Sequence, residues 1–202
     1  MKIFKDRESA GKILASKLKS TQANLVLGIP RGGVVVAKEI SQELNLPLDI
    51  IVTRKIPHPD QIELALGAVD SDGEIILGAG LEIEGLEELV KKEVEEIKRR
   101  EQTYRQGKNP LNLKGKTVIL VDDGIATGLT TLATIKYLKK HKVKKIILAV
   151  PVASNEALDK IKSEVEKLVI LETPEYFNAV GQFYLNFLPV SDQEVIQLLS
   201  DE

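Results

Sequence analysis

Apolar and polar positions along the chain fall into two kinds of segment: short unbroken apolar runs, and longer stretches with apolar residues every three or four positions. Asn24 to Pro30, Leu48 to Thr53, Thr117 to Val121, Lys145 to Val152 and Leu168 to Leu171 are of the first kind and predict buried strands. Helices are predicted between and around them. Asp6 caps one with Ala10, Ile13, Leu14 and Leu18 on a single face; others cover Val34 to Leu44, Leu129 to His141 and Ser154 to Glu164. The last begins at a capping box of Ser191 and Glu194, stapled by Val190 and Val195, and runs through Leu199. Strand and helix in alternation predict an α/β fold: a mostly parallel central sheet flanked by helices on both faces.

Two stretches depart from this rhythm. Arg54 to Gln61 places Pro57 and Pro59 around His58, and the missing proline donors predict a loop at the end of a strand. Next, Leu64 to Val69 and Glu74 to Leu77 flank Asp70-Ser-Asp-Gly73, the pattern of a hairpin whose glycine supplies a positive φ. Beyond it, Leu86, Leu89, Val90, Val94, Ile97 and Tyr104 form one narrow apolar stripe on a heavily charged helix at 86–105. One stripe needs one partner surface, so this helix is a packing element or a homodimer element. No linker or repeat interrupts the chain, which reads as one domain over 1–202 with its core at about 24–172.

With 28 basic and 30 acidic side chains, the net charge of −2 offers no general attraction to nucleic acid or anionic membranes, so any phosphate site must be local. The absence of cysteine excludes disulfides, thiolate metal sites and cysteine nucleophiles, and only His58 and His141 carry imidazole. No apolar stretch approaches the roughly 18 residues of a membrane span, and the amino-terminal residues lack a signal-like apolar core, so a cytoplasmic protein is expected.

The chemistry concentrates in one segment. In Val118-Ile-Leu-Val-Asp-Asp-Gly-Ile-Ala-Thr-Gly-Leu-Thr-Thr131 an apolar strand runs into two acids and then into a turn of small residues that opens a helix. Neighbouring strand residues point to opposite faces, so Asp122 and Asp123 address one ligand only if the strand ends there, as Gly124 suggests. From Gly124 to Thr131, free backbone N–H groups, the Thr127 and Thr130 hydroxyls and a helix N-terminus together form an anion site. A ligand that satisfies both parts donates hydrogen bonds at one end and carries a phosphate at the other. Ribose 5-phosphate has that form.

The run Val121-Asp-Asp-Gly-Ile-Ala-Thr-Gly-Leu-Thr130 resembles the phosphoribosyl diphosphate (PRPP) motif of type I phosphoribosyltransferases, a Rossmann-like family. Gly28-Ile-Pro-Arg-Gly-Gly33 follows the first strand, where that family has its pyrophosphate loop, and Arg54-Lys55 follows the second, where a basic contact is common. The resemblance covers about Asn24 to Leu171 and is closest to a branch with no named acceptor. It implies that Asp122 and Asp123 hold the ribose hydroxyls, and that Ala126, Thr127, Gly128, Leu129 and Thr130 bind the 5-phosphate. Arg31, Gly32, Gly33 and Lys55 would hold pyrophosphate, with Mg²⁺ bound through PRPP and no protein ligand assigned to it.

The implied activity is transfer of phosphoribose from PRPP to a nitrogen acceptor, a nucleobase first among candidates. Relatives specific for 6-oxopurines carry an acid in the phosphate loop where this chain has Ala126, which disfavours hypoxanthine and guanine. The family also places a hood near a chain end, here about 173–190. Four of the chain's eight aromatic residues lie in Glu175 to Tyr184, so Phe177 or Tyr184 stacks on the acceptor, or the rings form the hood's own core. His58 is expected to be a surface histidine and Glu63 an ion-pair partner. The alternative function is a PRPP- or nucleotide-sensing regulator of the same fold. A pI of about 5.9 and the lack of a basic arm argue against nucleic acid as its partner.

Overall fold

The computed structural model describes residues 4–57, 65–78 and 85–200, so His58 and Glu63 lie outside the described residues. Among the described residues, eight strands and six α-helices follow one another as α1 (Arg7–Leu18), β1 (Leu25–Gly28), α2 (Gly32–Leu44), β2 (Leu48–Ile50), β3 (Arg54–Pro57), β4 (Ala65–Val69), β5 (Ile75–Leu77), α3 (Leu86–Arg105), β6 (Thr117–Val121), α4 (Leu129–Lys140), β7 (Lys145–Val152), α5 (Asn155–Ile161), β8 (Lys167–Glu172) and α6 (Asp192–Ser200), with a 3₁₀ turn at Val180–Phe183.

The central sheet has five strands in the order β2-β1-β6-β7-β8, and every neighbouring pair is parallel. Such strands are covered on both faces, which explains their unbroken apolar runs. One face carries α1 and α2 through Leu14, Ala15, Leu18, Val36, Ala37 and Ile40. The other carries α4 and α5 through Ile135, Leu138, Ala157 and Ile161. The α/β architecture expected from the alternation is the one observed.

The face of α1 is rotated from the one expected. Ala10, Gly11, Leu14, Ala15 and Leu18 are buried, while Ile13 is 45% exposed. The cause is close helix packing: a Cβ on Gly11 would come within 2.8 Å of the Glu39 Cβ and 2.9 Å of the Val36 carbonyl oxygen. Small residues therefore face α2, and the bulkier Ile13 turns outward.

Arg54 to Pro57 corrects the loop expectation. It forms β3, an edge of a separate antiparallel sheet, β3-β4-β5, whose register shifts between Ile56 and Pro57. Proline is tolerated at an edge and beside an irregularity, because no ladder donor is needed there. The β4–β5 hairpin turns at Gly73 (φ +83°), with the buried Asp70 carboxylate accepting the N–H groups of Asp72 and Glu74. The apolar stripe of α3 packs on this small sheet and on α6, around Ile56, Leu66, Ile97, Tyr104 and Val195. Its partner surface thus lies within the chain. At the far end of α3, Arg105 bonds Asp49 (3.1 Å) and the Ile50 carbonyl (2.9 Å), pinning the helix to β2.

The segment expected to form a hood, about 173–190, contributes an aromatic cluster that is tied to Phe4. Phe4 donates its N–H to the Phe183 carbonyl at 2.9 Å, and its own carbonyl accepts from Leu185 at 2.8 Å. Phe4, Phe183 and Tyr184 are buried together, with Phe177 and Phe187 against them.

Candidate functional site

Strand order reverses between β1 and β6: from β1 the sheet grows outward to β2, and from β6 the other way to β7 and β8. The crevice beyond the carboxyl ends of two such strands is where open α/β sheets bind ligands. Here it is bounded by the loop after β1, carrying Arg31 to Gly33, and the loop after β6, carrying Asp122 to Gly128.

Glycine makes the approach of these loops possible. A Cβ on Gly33 would stand 2.8 Å from the Asp122 Cα, and one on Gly32 would overlap the Asp123 carboxylate. The amino end of α2 thereby presses directly on the acids. The peptide between Pro30 and Arg31 is cis.

The β6–α4 loop is held from its carbonyl side. Ile125 bridges to Ala153, its N–H donating to the Val152 carbonyl at 2.9 Å. Ser154 donates its hydroxyl to the Ala126 carbonyl at 2.5 Å, and Lys160 reaches the Thr127 carbonyl at 3.4 Å. Gly128 takes φ +77° with no side-chain cap, and its missing Cβ leaves room for Ala157 and Ile161. Among the described residues, the N–H groups of Thr127 to Thr131 meet no protein acceptor. These are the orphan donors of a helix start.

Asp122 and Asp123 sit beside one another, half buried, with the Asp123 N–H on the Asp122 carboxylate at 2.8 Å. Burial and the neighbouring Asp123 charge push the Asp122 carboxyl well above its ordinary pKa. Burial raises Asp123 as well, against the opposing pull of Arg7. Arg7, from the first turn of α1, donates Nε to Asp123 Oδ2 at 2.7 Å and a second guanidinium nitrogen to the Leu188 carbonyl at 2.9 Å. Its guanidinium lies 3.8 Å over the Phe187 ring.

The expected residues are not all gathered here. Arg31 to Gly33, the two acids and Ala126 to Thr130 meet at the crevice. Lys55 stands exposed on β3, on the small sheet. Arg31 is exposed and lies 3.5 Å from Asp192 at the start of α6, a carboxylate that also accepts the Tyr104 hydroxyl at 2.7 Å. Burial and that bond push Tyr104 up to about 12.

Tyr184 corrects the stacking expectation. It is 1% exposed, and its hydroxyl donates to the Asp123 carbonyl at 2.6 Å, so no ring face is free for a planar acceptor. Of the two rings, Phe177 alone stays partly exposed, tilted on Phe183 with ring centroids 5.1 Å apart. Arg7 and Ser154 went unnoticed in the sequence. Ser154 is a legible helix cap, but neither its reach to Ala126 nor that of Arg7 to Asp123 leaves a local pattern.

Crevice and loops together form a candidate anion site at the carboxyl edge of a parallel α/β sheet. The chain belongs to the phosphoribosyl transferase domain family, whose model matches residues 4–187. It is 40% identical over 207 residues to a Mycobacterium tuberculosis protein named "Putative phosphoribosyl transferase Rv0571c", covering 98% of this chain and 47% of that one. The chain thus spans about half the length of the curated relatives it matches. The crystal structure of TT1426 from Thermus thermophilus is similar at 37% identity and a TM-score of 0.83, over 98% of this chain and 97% of that one. The transcriptional regulator GfcR of Methanococcus maripaludis is 26% identical over 154 residues, covering 76% of this chain and 57% of the regulator.

Proposed function

We propose that residues 1–202 act as one domain that transfers phosphoribose from PRPP to a nitrogen acceptor of the nucleobase class, releasing pyrophosphate. The observation that carries this reading is the meeting of two uncapped helix starts with the Asp122–Asp123 pair, in a member of this family. The 5-phosphate would lie on the N–H groups of Ala126 to Thr130, and the ribose hydroxyls would donate to Asp122 and Asp123. Pyrophosphate would lie on Gly32 and Gly33, with the Arg31 side chain beside it.

As the bond from C1′ to the pyrophosphate oxygen lengthens, positive charge develops on the ribose, and the negative charge of the acid pair favours it electrostatically. The acceptor nitrogen then bonds to C1′ as pyrophosphate leaves, and its proton passes to solvent. The oxygen donors of a diphosphate suit Mg²⁺, which when bound neutralises charge on the leaving group. Arg31 and the α2 N-terminus would hold that group from the protein side.

Calorimetric titration with PRPP and Mg²⁺, alone and then with free purine and pyrimidine bases, tests the reading. Saturable binding with pyrophosphate release for one base is expected; absence of binding overturns it. Similarity to GfcR favours a second reading, a PRPP- or nucleotide-sensing regulator. Binding without turnover for any base would select that one.

A further inference from the structure

The geometry points to Arg7 as a positioning residue that presents Asp123 to the ribose of PRPP and keeps it ionised, coupling the acid pair to the hood. This inference rests on the reading of Asp122 and Asp123 as the ribose-binding acids. Arg7 belongs to neither of the two loops that frame the crevice. It reaches in from the first turn of α1, 116 residues from Asp123 in sequence, and is itself fixed on three sides. Nε donates to Asp123 Oδ2, a second nitrogen donates to the Leu188 carbonyl, and the guanidinium plane lies on Phe187. Its side chain is only 12% exposed. A guanidinium so held is a fixed fork rather than a swinging surface charge.

The surroundings favour a role in the site over general stability. A Cβ on Gly32 would stand 2.7 Å from Arg7 Nε, so the pyrophosphate loop, the guanidinium and the acid meet at one point. Tyr184 holds the backbone of the same residue through the Asp123 carbonyl. Asp123 is thus gripped at its carboxylate by α1 and at its carbonyl by the hood. Oδ2 is committed to Arg7, and the Asp123 carboxyl also meets that of Asp122.

Two adjacent half-buried acids tend to share one proton rather than ionise together. A cation on one of them decides which stays charged. The charged and titratable groups around the pair are Arg7 from α1, Tyr184 from the hood and, through Arg7, Glu194 of α6; α2 presents glycines, preceded by Arg31. Arg7 is the cation in direct contact.

The test uses the full chain as wild type, R7K and R7Q, with two measurements. In the free protein, the Asp122 and Asp123 carboxyl carbons are followed by NMR across pH. R7Q is expected to move the titration of the pair upward and R7K to leave it near wild type; no movement in R7Q overturns the coupling. PRPP affinity is then measured by calorimetry at several pH values. R7Q is expected to bind about 10- to 100-fold more weakly, the range for one charge-assisted hydrogen bond. Its deficit should widen as pH falls, until the wild-type pair itself takes up a proton, and R7K should recover most of the affinity. A deficit equal at every pH makes Arg7 merely structural. Tighter PRPP binding in R7Q makes it a plug that the sugar must displace, and either result overturns the proposal. A shifted carboxyl titration in a protein whose wild type binds no PRPP leaves the Arg7 coupling standing and overturns the ribose reading instead.

Discussion

The helices begin in two ways, and the difference separates the parts that hold the fold from the parts that face the crevice. At α1 and α6 side chains close the first turn: Asp6 and Ser9 cap one another, as do Ser191 and Glu194. At α5 Ser154 accepts the Ala157 N–H. α3 also starts without a side-chain cap, at Gly85, but carries Glu87 and Glu88 in its first turn, whereas the two helices that start at the crevice, α2 and α4, have neither a side-chain cap nor an acid there. Uncapped helix starts cost stability, roughly 1 kcal/mol each, unless something else takes the donors. Here that cost is concentrated where a phosphate or diphosphate would relieve it.

Breaking the acids tests the comparison most severely. Replacing both Asp122 and Asp123 with Asn is expected to abolish PRPP binding, read by calorimetry, with the fold intact. Asp122→Asn alone adds a stability readout. The folded protein holds Asp122 with a raised pKa, so above that value the ionised carboxylate destabilises the fold, and below the unfolded value of about 4 the effect is gone. Asp122→Asn should therefore melt at a higher temperature than wild type at neutral pH, with the gain shrinking as pH falls toward 4. A gain that grows on acidification would contradict the burial argument.

Gly32→Ala should follow in size. Its Cβ would displace the Asp123 carboxylate and the Arg7 guanidinium, and loss of the charge-assisted contact to the ribose is expected to cost on the order of 100-fold in PRPP affinity. Thr127→Val removes one neutral hydroxyl from the α4 start and is expected to weaken PRPP binding about 2- to 10-fold, with unchanged melting. Ser191→Ala sharpens the other side of the comparison: loss of the α6 cap should lower stability by about 1 kcal/mol in denaturant unfolding, with PRPP affinity as in wild type. A fall in affinity comparable to that of Thr127→Val would mean that capped and uncapped helices are not separable in function.

Much of this was legible along the chain because its causes are local. The five apolar runs became the parallel strands, and the stripe of α3 became its buried side. The acids and small residues from Asp122 to Thr130 could be placed on a strand end and a helix start, because backbone donors are exposed or hidden by neighbouring residues. Side chains that act at a distance left no such trace. Tyr184 was open to stacking on an acceptor or to packing in a core and is buried with its hydroxyl on Asp123, while Pro57 looked like a strand breaker and sits at a sheet edge.

The sequence by itself determined the α/β alternation, the hairpin and the segment with phosphate-binding chemistry, since hydrophobic period, glycine placement and helix capping are properties of a few consecutive residues. Tertiary structure alone decided that β1 and β6 lie side by side, which brings Gly32 and Gly33 onto the acids, and that Arg7 and Tyr184 hold Asp123 from opposite ends of the chain. Those contacts depend on strand order and helix packing, which are settled by the burial of the whole core, and no local pattern records them.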